Sequence, residues 1–193
     1  MNENLQFLQA FLKSPLKVGA IKPSSPELAR KMLEGVKPNA DNIILELGVG
    51  TGAITKFVPE IVPDQNSYLG IELNPALAES ASHKFPDLKI VRGNACEAHE
   101  IHKESGLGKI SYIISGLPFV SLPAAISGKV YLEIERLMTA GCMFRTFQYA
   151  HGYYTPAALK LREFMRDRYG KSKRSPLVVK NVPPAYTLTW STI

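Results

Sequence analysis

The chain has 193 residues, 45% of them hydrophobic, and a net charge of +6 at pH 7. That length makes one domain with a filled core, and the positive balance favours an anionic partner, either nucleic acid or an acidic membrane face. Two cysteines without metal or disulfide spacing predict free, buried or semi-buried thiols at Cys96 and Cys142 in a reducing compartment, and the lack of a cleavable leader or bilayer-length apolar run predicts a cytoplasmic protein.

The first element is a helix over Asn2 to Lys13. Phe7, Leu8, Phe11 and Leu12 share one broad face with Leu5, while Gln6, Gln9 and Lys13 sit opposite and Asn4 intrudes on the apolar side. Lys13, Lys17 and Lys22 follow closely. Such a helix can lie in a membrane interface, although an ordinary helix packed on the core shows the same stripe. Residues 1–22 therefore read as a docking segment and 23–193 as the remaining domain. Ser24 and Glu27 have capping-box spacing, and Pro26 fits an early helical position, so a second helix is expected to run to about Glu34 and stop at Gly35.

The run Ile43 to Leu47 then breaks into Gly48-Val49-Gly50-Thr51-Gly52. It reads as a buried parallel strand, a tight glycine loop that brings backbone close to a ligand, and a helix from about Ala53 whose amides face that ligand. A dinucleotide fingerprint is G-x-G-x-x-G. Here the pattern is E-x-G-x-G-x-G with Glu46 in the strand, which resembles the first motif of class I S-adenosylmethionine-dependent methyltransferases; the plain alternative is a strand-to-helix turn. A second strand, 67–72, ends in Glu72, placed to accept from both ribose hydroxyls, with Leu73 beside it. A third, 88–92, leads to Asn94-Ala95, where that pattern usually carries Asp-Ala; the Asn94 amide oxygen can still accept from an adenine amino group. Three strand ends together favour S-adenosylmethionine over a nicotinamide cofactor. Candidate cofactor contacts are Glu46, Gly48, Gly50, Thr51, Gly52, Glu72, Leu73, Asn94, Ala95 and Ser115.

Further strands are expected at 110–115, 142–149, 176–180 and 185–191, and helices at 76–84, 123–138 and 156–168. This is an α/β fold, Rossmann-like, with a mostly parallel sheet of about seven strands, N-terminal helices, and an antiparallel pair at the end because Asn181-Val182-Pro183-Pro184 leaves no room for a crossover. His99 and His102 share a helix-like spacing with Glu97 and Glu100, but methyl transfer needs no metal and none is expected. The fourth strand ends in Ser115-Gly116-Leu117-Pro118-Phe119. Enzymes that methylate nucleic-acid amines place Asn or Asp where Ser115 stands, which weakens a nucleic-acid reading. The aromatic loop Tyr149-Ala150-His151-Gly152-Tyr153-Tyr154 lies at the same edge. It offers Tyr153 as a headgroup contact and His151 as a proton acceptor, against a plain reading of lid packing. The seven basic residues from Lys160 to Arg174 read as a solvated face, with Lys171, Lys173 and Arg174 at the far end of the sheet, and Lys180 as the better candidate for a substrate phosphate.

Nearly the whole chain resembles the soluble bacterial phospholipid N-methyltransferases. The resemblance rests on Phe11-Leu12, Val18-Gly19-Ala20-Ile21-Lys22-Pro23-Ser24-Ser25, the Glu46–Gly52 loop, Ser115–Pro118 and Asn181-Val182-Pro183-Pro184-Ala185. It implies methyl transfer from S-adenosylmethionine to the amine of phosphatidylethanolamine, towards phosphatidylcholine, at the inner face of the cytoplasmic membrane. Ser115, Gly116, Leu117, Pro118 and Phe119 would then receive the amine. Phe7, Leu8, Phe11, Leu12, Lys13 and Lys17 would dock on anionic lipid, with a monomer the favoured state. A relative acting on ornithine lipids would look much the same. The alternatives are an rRNA adenine N6-methyltransferase and a noncatalytic membrane-binding module.

Overall fold

The computed structural model describes residues 23–39 and 41–192. The proposed docking segment, with Phe7, Leu8, Phe11, Leu12, Lys13 and Lys17, lies outside the described residues. In chain order the main elements are α1 (Pro26–Leu33), β1 (Asn42–Leu47), β2 (Tyr68–Glu72), α2 (Pro75–Lys84), β3 (Lys89–Arg92), α3 (Ala98–Ser105), β4 (Lys109–Ser115), α4 (Ala124–Leu137), β5 (Met143–Tyr149), α5 (Pro156–Tyr169), β6 (Lys173–Arg174) and β7 (Ala185–Ser191). Seven strands form one sheet in the order β3-β2-β1-β4-β5-β7-β6. All neighbours pair parallel except β7, which is antiparallel to both β5 and β6. The expected α/β architecture is present.

Side chains alternate across the strands and so feed two cores. Ile43, Leu45 and Leu47 of β1 join Ile126, Val130 and Ile134 of α4 on one face. Ile44 turns to the other face, against Leu28 and Met32 of α1 and Tyr68. Arg145 of β5 ties α1 down: one terminal nitrogen donates to the carbonyls of Lys31 at 3.3 Å, Met32 at 3.0 Å and Glu34 at 2.7 Å. Those are carbonyls that a helix end leaves without partners. Cys142 is buried and Cys96 half-buried, both free.

Four local expectations need correction. The α1 cap is Ser25, whose hydroxyl accepts from the Leu28 amide at 3.2 Å, because Pro26 takes the first helical position and leaves Ser24 outside. The helix expected from Ala53 is a 3-10 turn of six residues, Thr55–Glu60, interrupted by Pro59. The strand expected over 176–180 is Lys173–Arg174 instead. Pro176 has no amide to give the ladder, which resumes only as a bridge from Val178 to Ala185. Arg174 is not at the far end of the sheet, since its guanidinium lies 5.3 Å from the Tyr153 ring, just past the carboxyl end of β5.

Candidate active site

The strand order reverses between β1 and β4, each flanked by strands that run away from it. Loops leaving two such carboxyl ends diverge to opposite faces and open a cleft. Ladder bonds carry past the strands and fix these loops: Gly48 N–H donates to Ile71 O, Gly93 N–H to Glu72 O and Gly116 N–H to Leu47 O, each at 2.9 Å. Gly48, Gly50 and Gly52 all have positive φ, at 79°, 58° and 80°. Side chains are strained there. A Cβ on Gly48 would also stand 2.7 Å from Leu117 Cδ2, and one on Gly52 2.5 Å from Phe85 Cε2, whereas Gly50 faces open space.

The cleft floor is Gly48, Gly50, Gly116, Leu117 and Pro118. Glu72, Leu73, Asn94 and Ala95 line one side, with Ile71 and Gly93 behind. Leu77, Leu122, Ile126 and Val130 build apolar walls that the sequence reading missed. Leu122, Ile126 and Val130 stand four apart, a spacing indistinguishable from an ordinary core stripe. Glu72 is held by two amides: its Oε2 accepts from Gly50 at 2.7 Å and its Oε1 from Asn74 at 2.8 Å. Each oxygen keeps a second lone pair for a ligand hydroxyl. The Asn94 oxygen, expected to meet an adenine amino group, caps the next turn by accepting from Cys96 N–H at 3.0 Å. One lone pair and two N–H donors remain.

Several expected contacts do not line this cleft. Glu46 belongs to the opposite face of β1, as its parity with Ile44 requires. It is fully buried, and its Oε2 accepts from Tyr68 Oη at 2.7 Å and Thr55 Oγ1 at 3.0 Å. Burial pushes its carboxyl up to about 7, against the pull of those two hydrogen bonds. Thr51 points to solvent and Gly52 packs under Phe85. The buried Ser115 Oγ accepts from its neighbour's Leu117 amide at 3.3 Å, so it shapes the corner and offers no side chain to a ligand. Phe119 turns into the core, 5.4 Å from the Tyr131 ring, because an aromatic ring gains more from burial than from this edge.

The aromatic loop is also committed elsewhere. His151 is exposed and stacks on Tyr149 at 5.7 Å. The Tyr153 ring carries the Arg162 guanidinium at 3.9 Å and lines a different concavity. Lys180 sits 3.6 Å from Glu27, a carboxylate, and outside the cleft. His102 Nε2 lies 2.9 Å from Gly108 O, and the backbone amide of His99 donates to Glu133 Oε2 at 2.8 Å.

A family model described as Protein-L-isoaspartate(D-aspartate) O-methyltransferase (PCMT) matches residues 2–108. The Ornithine lipid N-methyltransferase of Singulisphaera acidiphila is 24% identical over 147 residues, which cover 75% of this chain and 77% of that protein. The Ribosomal RNA small subunit methyltransferase A of Chlorobium phaeobacteroides is 30% identical over 94 residues, 46% of this chain and 34% of that protein. The crystal structure of magnesium protoporphyrin IX methyltransferase from Synechocystis with bound S-adenosylmethionine superposes with a TM-score of 0.65 over 100% of this chain and 99% of that one, at 9% identity, a likeness of fold. The cleft suits such a ligand: an acid with free lone pairs under a glycine amide, an open space above Gly50, and aliphatic walls for a base and a sulfonium chain.

Proposed function

We propose a lipid-amine substrate for this protein, which belongs to the Protein-L-isoaspartate(D-aspartate) O-methyltransferase (PCMT) family and is a class I S-adenosylmethionine-dependent methyltransferase. The reading is methyl transfer to the headgroup amine of phosphatidylethanolamine, towards phosphatidylcholine, at an anionic membrane surface. One observation carries it: the acceptor corner is aliphatic. Leu117, Pro118 and Leu122 line the cleft there, Ser115 is turned inward, and Phe119 is buried. A nucleobase amine would need a polar side chain and an exposed ring at this corner. A lipid amine arriving beneath its acyl chains needs neither.

In this reading Glu72 accepts from the ribose hydroxyls, Leu73 and Ala95 flank the adenine, and the Gly48–Gly50 backbone passes beneath the methionine end. S-adenosylmethionine supplies an activated sulfonium methyl. The chain aligns the amine with it across Gly116-Leu117-Pro118 and excludes water with Leu122 and Ile126. Glu72 is the only ionisable side chain lining the cleft among the described residues, and both its oxygens already accept backbone amides. The amine therefore gives up its proton to solvent before attack, with no side-chain base among the described residues of the cleft.

Among the described residues no helix is long and apolar enough to cross a membrane. What supports docking through residues 1–22 is their sequence, with Phe7, Leu8, Phe11 and Leu12 at helical spacing beside Lys13 and Lys17. Ornithine lipid is a second acceptor, favoured by the Singulisphaera relative. The test uses labelled S-adenosylmethionine with three acceptors: phosphatidylethanolamine vesicles doped with anionic lipid, ornithine-lipid vesicles, and unmodified ribosomal RNA. Label in phosphatidylethanolamine is expected. Label in ornithine lipid alone moves the assignment to the second acceptor, and label in RNA alone overturns both. Deleting residues 1–13 is expected to abolish vesicle binding and spare the thermal shift given by S-adenosylhomocysteine.

A further inference from the structure

A second concavity, of about 340 Å³, lies between α5 and β6, apart from the cofactor cleft. Leu159, Arg162, Glu163 and Arg166 reach it from one face of α5, at helical spacing i, i+3, i+4 and i+7, and Lys171, Ser172 and Arg174 close it from the edge strand and the turn before it. Four cations face one carboxylate.

Three of the four cations, Arg162, Lys171 and Arg174, are held without an ion pair among the described residues. Arg162 donates from one nitrogen to Gln148 Oε1 at 2.7 Å and to Tyr153 O at 2.6 Å, and its guanidinium lies 3.9 Å from the Tyr153 ring centroid. Arg174 approaches that same ring at 5.3 Å and the Tyr186 ring at 4.8 Å. Among the described residues, ion pairs within 4.0 Å join Arg166 to Asp167, Arg168 to Glu135 and Lys180 to Glu27, but none involves Arg162, Lys171 or Arg174. Like charges lining one groove repel each other, and an anion bound in it offsets that cost. Guanidinium forks and a serine hydroxyl match phosphate oxygens.

We propose that this groove binds the phosphate of an anionic phospholipid headgroup. An aliphatic wall residue, and exposed apolar side chains in neighbouring stretches of the chain, favour lipid over nucleic acid. Leu159 in the wall is 38% exposed, and Val179 and Val182, in the segment after β6, are 67% and 61% exposed. Tyr154, 78% exposed, packs edge-on against Tyr153. The same segment bridges Val178 to Ala185, opposite Tyr149, so it lies at the carboxyl end of the sheet, the end at which the cofactor cleft opens. The inference goes beyond methyl transfer, since it needs no methyl acceptor.

The test is cosedimentation of the full chain with vesicles of phosphatidylcholine alone or mixed with phosphatidylglycerol. Variants are Lys171→Gln, Arg174→Gln and, as a control of equal charge change outside the groove, Lys103→Gln. Each groove variant is expected to bind mixed vesicles about fivefold more weakly, the effect of one basic charge near an anionic surface, and the control less than about twofold. All should keep the thermal shift with S-adenosylhomocysteine; if Arg174→Gln loses its fold, the exposed Lys171 decides. Glycerol phosphate is expected to release the wild type more strongly than sodium chloride of equal ionic strength. Equal losses in all three variants, or equal release by the two solutes, would leave only diffuse charge and overturn the site. Loss of binding to an RNA oligonucleotide with vesicle binding retained would assign the groove to nucleic acid and overturn it too. Vesicle binding without methyl transfer to any lipid would leave this site standing and remove the proposed substrate instead.

Discussion

Replacing Glu46 by Gln separates burial from ligand binding at the residue where the sequence and the structure disagree most. In the unfolded chain this carboxyl titrates near 4.5, and in the folded protein burial raises it to about 7. Between those values the folded state holds a proton that the unfolded state has released, so stability falls as pH rises. The interval, at about 1.4 kcal/mol per pH unit, amounts to about 3 kcal/mol. That contribution is fully present below pH 4.5 and lost as pH climbs through 7. Glutamine still accepts from Tyr68 and Thr55 through its oxygen. Its amide nitrogen occupies the place of Oε1, which has no partner among the described residues, at a pH-independent cost of about 1–3 kcal/mol. The offset is therefore uninformative and the slope decides. Urea unfolding followed by the fluorescence of the single, buried tryptophan, Trp190, at pH 5, 6, 7 and 8 should show wild type losing about 2.5 kcal/mol relative to Glu46→Gln across the series, the part of that interval lying above pH 5. Parallel curves would refute the reasoning. They would mean that Glu46 is ionised in the fold, with a cation or donor at Oε1, and would return it to the list of ligand contacts.

Glu72→Ala removes the acceptor of the Gly50 and Asn74 amides and the only acid among the described residues of the cleft. S-adenosylhomocysteine should bind about 10- to 100-fold more weakly by calorimetry, the loss of one or two charged hydrogen bonds, and unchanged affinity would mean that the ligand sits elsewhere. Gly52→Ala should cost about 1–2 kcal/mol more than Gly106→Ala in urea unfolding, because both have positive φ but only Gly52 lies against another side chain, Phe85; equal losses would show that Phe85 moves aside freely. With no side-chain base among the described residues of the cleft, the rate of methyl transfer at saturating substrate should rise about tenfold per pH unit from pH 7 towards the pKa of the amine, near 10 for an unperturbed alkylammonium. His151→Ala should leave that profile within about threefold, and a plateau near pH 7 abolished by this variant would restore His151 as the proton acceptor.

Local patterns carried most of the architecture. The apolar run 43–47, the positive-φ glycines and the acid at Glu72 are each written in a few neighbouring residues, and so are the helix starts at Pro75, Ala124 and Pro156. Each depends on backbone preference or on periodicity, which act over one turn or one strand. Boundaries slipped where a single proline outweighed the pattern, at Pro26, Pro59 and Pro176. Helix α3 left only a hint, the spacing of His99 and His102, because Ala98 is its sole fully buried residue.

By itself, then, the sequence determined the α/β alternation, the glycine loop and the strand end that carries Glu72. Only the tertiary structure decided which side chains that loop and its neighbours present. Glu46, Ser115 and Phe119 lie close in sequence to cleft residues, yet strand parity and a turned corner send all three inward. Leu122, Ile126 and Val130 look like core and became cleft wall, since burial in a core and burial against a ligand demand the same aliphatic stripe. The cations of α5 and the β6 edge met around Tyr153 through the antiparallel return of β7, a contact between distant segments that no local window contains.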